Sequence, residues 1–83
     1  MSRNLLYFDK LSLSERNTYI SYHGKYIGFR LNYNHVIHLY LLDETFFEVW
    51  CFPPEDSIVK VEPLHDYKKI DLYIKHMTEL VNI

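Results

Sequence analysis

The sequence predicts an α+β domain: a four-stranded antiparallel β-meander with an N-terminal and a C-terminal helix packed on one face, in the order α-β-β-β-β-α. Three observations predict it. Apolar residues alternate with a period of two from Lys25 to Glu62, interrupted only by short polar or proline-containing links. A capping signature at Ser12 and a glycine at position 24 bracket a segment of helical length before that run. After it, Tyr67, Ile70, Ile74, Met77 and Val81 recur at steps of three and four.

The chain has 83 residues, which leaves room for one domain over 1–83. At this size folding buries only about 60–65% of the surface that the unfolded chain exposes, so most large apolar side chains are needed in the core. The composition meets that demand, with 48% hydrophobic residues and eight Tyr, five Phe and one Trp. Two Gly and three Pro argue against disorder. Cys51 is the sole cysteine, so no intramolecular disulfide can form. The apolar run at residues 5–8 is too short for a signal-peptide core, and no stretch approaches the ~20 apolar residues of a membrane span. The expectation is a soluble, cytoplasmic protein without a membrane partner. A formal charge of −2 disfavours broad phosphate-backbone binding, so nucleic acid is not an expected partner.

Residues 1–11 have no clear period and read as an extended arm, with Leu5, Leu6 and Phe8 tucked into the core. Ser12-Leu13-Ser14-Glu15 fits a capping box, and Gly24 stands where a left-handed C-terminal residue is wanted, which gives a helix over 13–23. A strand over 18–22 with a hairpin at His23-Gly24 competes, because Tyr and Thr favour strands. The stop signals at both ends favour the helix.

Strands follow at Lys25–Asn32, His35–Leu42, Thr45–Phe52 and 57–62. Their links are Tyr33-Asn34, Asp43-Glu44 and Pro53-Pro54-Glu55-Asp56. Such short links make an antiparallel meander. Register at Asp43-Glu44 is in conflict. A two-residue turn pairs Leu42 with Thr45 and puts Leu39 and Glu48 on one face. Asp-Glu is poor chemistry for that turn, which wants Asn-Gly or Asp-Gly. The expectation is therefore that odd positions pair with odd. Pro63 ends the sheet, and Asp66 caps a final helix over 67–80 whose apolar stripe is widened by Tyr73 and Leu80.

The run Phe46-Phe47-Glu48-Val49-Trp50, followed by Pro53 and Ile58, resembles a group of short uncharacterised bacterial α+β proteins. The glycine-ended helix before Lys25-Tyr26-Ile27 and the pair Leu39-Tyr40 are similar too. The resemblance spans about residues 11–76 and implies the fold. It departs at Asp43-Glu44, where Asn-Gly is more usual, and at Cys51, where an aromatic is more usual. It implies no activity and no site.

Chemistry-bearing residues offer no catalytic set. His35 and His38 have metal-ligand spacing, but three steps along a strand put them on opposite faces. No metal or cofactor is expected. Cys51 reads as a small buried residue, and no nucleophile elbow, phosphate loop or zinc-protease motif occurs. The candidate site is the even face of the sheet. Odd–odd pairing would set Arg30, His38, Trp50 and Lys60 in one row and Tyr40, Glu48 and Glu62 in a second. With both helices on the odd face, Tyr26, Tyr40, Phe46, Trp50 and Phe52 would be partly exposed among charges. Aromatics with Arg and Lys are typical of contact surfaces, while ordinary cross-strand pairing is the plainer explanation. The expectation is a non-catalytic interaction module, a homodimer or a binder of another protein, with Tyr26, Arg30, His38, Tyr40, Phe46, Glu48, Trp50 and Lys60 as its face. The alternatives are a small ligand-binding or enzymatic domain using Glu48, His38, Tyr40 and Arg30, and weak single-stranded nucleic-acid binding by base stacking.

Overall fold

The computed structural model of the chain describes residues 8–53 and 57–81, with side chains as far as residue 75. Phe8–Lys10 forms a single 3-10 turn rather than extended chain, and Phe8 is buried. Residues 1–7, with Leu5 and Leu6, lie outside the described residues. The first helix, α1 (Leu13–His23), begins at a complete capping box. Ser12 Oγ accepts from Glu15 N at 3.1 Å, and Glu15 Oε1 accepts from Ser12 N at 2.8 Å. Those bonds hold the exposed Glu15 carboxyl below its ordinary pKa, the backbone donor contributing most. The competing strand over 18–22 does not form.

Gly24 ends α1 for a reason other than the expected one. Its backbone is extended, with φ −86° and ψ 163°, rather than left-handed. A Cβ there would sit 2.7 Å from the carbonyl oxygen of Ile20, so close approach to the last helical turn demands glycine.

The four strands are β1 (Lys25–Asn32), β2 (His35–Leu42), β3 (Thr45–Phe52) and β4 (Ser57–Pro63). They form one antiparallel sheet in the order β1-β2-β3-β4, as expected for a meander. Register between β2 and β3 differs from the odd–odd expectation. Leu42 pairs with Thr45, Leu39 with Glu48 and Ile37 with Trp50. The chain accepts a two-residue turn by placing both Asp43 (φ 48°) and Glu44 (φ 68°) in the left-handed region. That is the backbone of a type I′ turn, whose twist matches the strands. Single-residue bulges at Ile27 in β1 and Val59 in β4 shift the outer strands by one, so Tyr26 shares a face with Phe29, and Ile58 with Val61.

This register makes both faces apolar, and each takes a helix. On the first face Leu42, Phe47, Val49, Cys51 and Val61 form a core with Phe8 and with Ile20 of α1. On the second, Ile37 and Leu39 form a core with Leu64 and with Tyr73 of the second helix, α2 (Ile70–Val81), with Ile27, Phe46, Trp50 and Ile70 packed against it. The two helices therefore sit on opposite faces, not together on the odd face. A short 3-10 turn, Tyr67–Lys69, leads into α2, and Asp66 caps it by accepting from Lys68 N at 3.1 Å. Among the described side chains the predicted stripe is rolled: Tyr73 is buried, while Tyr67, in the turn ahead of α2, and Ile74 are more than half exposed. Tyr73 is thereby turned to the sheet, where its hydroxyl has an acceptor. Met77, Leu80 and Val81 have side chains outside the described set. No helix among the described residues is long and apolar enough to cross a membrane.

Candidate functional site

The eight residues expected on one face are divided between two. Arg30, Phe46, Glu48, Trp50 and Lys60 lie on the second face, beneath or beside α2. Tyr26, His38 and Tyr40 lie on the first, because odd residues of β2 pair with even residues of β3. The expected cross-strand rows survive in part: Arg30, Trp50 and Lys60 fall in one row with Ile37 in place of His38, and Glu48 pairs with Glu62 beside Leu39 in place of Tyr40. Glu48, His38, Tyr40 and Arg30 therefore cannot line a common pocket.

Three of the second-face groups form a buried polar cluster. Glu48 is 1% exposed and Arg30 8%. Arg30 Nη2 donates to Glu48 Oε2 at 3.1 Å, and Tyr73 Oη donates to the same oxygen at 2.6 Å. The guanidinium stands between two rings, 5.7 Å from the Trp50 centroid and 5.4 Å from that of Tyr73. Burial first, then donation to Glu48, pushes the Tyr73 hydroxyl far above its ordinary pKa. Both carboxylate and guanidinium are thus committed to one another and to the α2 tyrosine. This arrangement locks α2 onto the sheet. Trp50 closes the cluster, with Lys60 Nζ 4.1 Å from its ring on the outer side. Lys60 also pairs with Glu62 at 3.4 Å across exposed surface.

The first-face residues make a smaller, wetter group. Tyr26 Oη and His38 Nδ1 share a hydrogen bond of 2.9 Å, and the Tyr26 and Tyr40 rings meet edge to face at 5.2 Å. Burial, with Tyr40 adding to it, raises the Tyr26 hydroxyl. His35 lies on the other face, 5.5 Å from the rings of both Trp50 and Phe52. The two histidines are separated as strand geometry requires. Cys51 is buried.

One exposed aromatic surface is at the end of the sheet that carries the β1–β2 turn. Tyr33 is 99% exposed, Leu31 59% and Phe52 45%. With His35, Val36 and Pro53 they line a shallow open groove of about 380 Å³. Tyr33 holds φ 55° at the first position of a two-residue turn. That position favours glycine in a type II′ turn, and a bulky residue there is strained. Sequence reasoning treats Tyr33 only as turn material; the signal available is an aromatic residue where Gly or Asn is preferred. Tyr73 reads from sequence as the margin of a stripe, and nothing in its spacing shows that Glu48 needs a donor. No protein-family model, curated protein or solved structure matches the chain.

Proposed function

We propose that this protein is a non-catalytic interaction domain that pairs with a second copy of itself through the sheet end bearing Leu31, Tyr33 and Phe52. The observation that carries the reading is Tyr33, a fully exposed ring held on a strained turn beside an open groove. Strain of this kind costs on the order of 1–3 kcal/mol and persists where the residue is needed for something other than stability. A projecting ring next to a groove is self-complementary, because a two-fold axis lets each copy fill the other's groove. None of the groove's lining residues carries a carboxylate or an ammonium group, so two copies meet there without charge repulsion. Of the charged residues that the sequence suggests for an interface, Arg30 and Glu48 are committed inside the domain, and Lys60 is exposed and paired with Glu62.

Tyr33→Asn tests the reading. Asparagine tolerates the left-handed region, so the fold is kept or strengthened while the ring is lost. Sedimentation velocity across a concentration series should show a dimer for the wild type and a monomer for the variant, with a melting temperature no lower. A wild type that stays monomeric at the highest concentration, or a variant that dimerises equally well, refutes it. Trp50→Ala is no substitute, since Trp50 is part of the second core.

A further inference from the structure

Among the described residues, two buried donors on the second face meet no protein acceptor: Arg30 Nε and Trp50 Nε1. Arg30 is 8% exposed, and its other described bond goes through Nη2 to Glu48. A buried N–H left unpaired costs the full desolvation of the group. Two together weigh heavily against the marginal stability of a domain of this size. The donors belong to stacked groups, with the guanidinium carbon 5.7 Å from the indole centroid. A water that accepts two N–H bonds of about 2.9 Å at a tetrahedral angle bridges nitrogens about 4.7 Å apart, and the two donors belong to groups in direct contact.

We propose that Arg30 Nε and Trp50 Nε1 share one internal water molecule. The chemistry favours a neutral acceptor over an anion. The Arg30 charge is already matched by Glu48 at 3.1 Å, and that of Lys60 by Glu62 at 3.4 Å. An added anion would be a buried charge in excess, which is costly without a partner. Water accepts from both donors and keeps two protons to give elsewhere, as internal waters do. The water ties the indole to the guanidinium. It thereby fixes the ring against which His35 rests at the groove end of the sheet. This inference does not depend on self-association.

The test is a pair of water-selective cross-relaxation experiments, NOE and ROE, on the nitrogen-15-labelled protein. They are read at the Trp50 indole proton and the Arg30 ε proton, with added sodium chloride or sodium formate as anion probes. Both protons should show water cross-peaks of opposite sign in the two experiments, the mark of a long-resident water. Neither resonance should shift saturably with chloride or formate. The same result is expected in Tyr73→Phe, which removes a hydroxyl proton able to relay a water signal. In Trp50→Phe, which deletes one donor and keeps a ring, the Arg30 ε cross-peak should weaken. Absent cross-peaks, their loss in Tyr73→Phe, a saturable anion shift, or an Arg30 ε signal unaffected by Trp50→Phe would each overturn the proposal.

Discussion

Tyr73→Phe is the sharpest probe of the bond that joins α2 to the sheet. The substitution removes one oxygen and keeps the ring, so it opens no cavity and retains the 5.4 Å approach of the Arg30 guanidinium. What is lost is a 2.6 Å hydrogen bond to an ionised acceptor that is itself 1% exposed. Hydrogen bonds to charged groups contribute about 1.5–3 kcal/mol, and Glu48 keeps its Arg30 partner, so we expect a loss of about 2 kcal/mol at neutral pH. The pH dependence identifies the group. The folded-state pKa of Tyr73 is raised above its ordinary value of 10.0, so its contribution is complete below that pH and is lost as pH rises above it. Above that point the wild type loses stability from this residue by up to about 1.4 kcal/mol per pH unit, and the phenylalanine variant does not. The two proteins should therefore converge, and a difference of about 2 kcal/mol should vanish about one and a half units above the ordinary tyrosine value. Urea unfolding followed by far-ultraviolet circular dichroism at neutral and alkaline pH measures this, because the other tyrosines cancel in the difference. A neutral-pH difference below about 0.5 kcal/mol, or one that fails to narrow in alkali, would refute the reasoning.

The element order was legible because every element carries a local signal. The Ser12 capping box, the period-two runs and the proline at 63 are each read within a few residues, and each is where the sequence places it. The helix placement was not legible, and the cause is one turn. Asp43-Glu44 lacks the glycine that makes a type I′ turn easy, so odd–odd register looked cheaper than two residues at positive φ. The opposite happened because the pairing of Leu39 with Glu48 and Ile37 with Trp50 gives both faces enough apolar surface for a helix each. Register is a tertiary decision in which burial over whole strands outweighs strain at one link. The candidate site depended on that register, so it divided when the register changed. Glu48 shows the same limit from the other side. Its place in an apolar strand suggested an exposed charge on an open face. Its burial is made tolerable by Arg30, 18 residues away, and Tyr73, 25 residues away, at separations that no periodicity reports.

Substitutions at two further positions test the links that the fold relies on. Glu44→Gly supplies the Asp-Gly pair favoured in a type I′ turn, at a residue held at φ 68°. A left-handed non-glycine residue costs roughly 1–2 kcal/mol, partly offset by glycine's freedom in the unfolded chain, so a rise of about 0.5–1 kcal/mol in urea stability with an unchanged slope is expected. A fall in the urea midpoint would contradict the turn assignment. At Gly24 the two explanations for glycine make different forecasts. A left-handed cap would penalise Ala and largely spare Asn, which visits that region. Close approach penalises any Cβ, because the atom it meets 2.7 Å away is the backbone oxygen of Ile20 and cannot rotate aside. The extended φ of −86° imposes no strain of its own. Gly24→Ala and Gly24→Asn should therefore both destabilise, each by about 1–3 kcal/mol, the range for forcing extra atoms into a closely packed site. Thermal unfolding of the two variants side by side decides the matter. If Asn were tolerated and Ala were not, the helix end would have to be left-handed in solution. The short step from α1 into β1 would then be held by conformation rather than by contact.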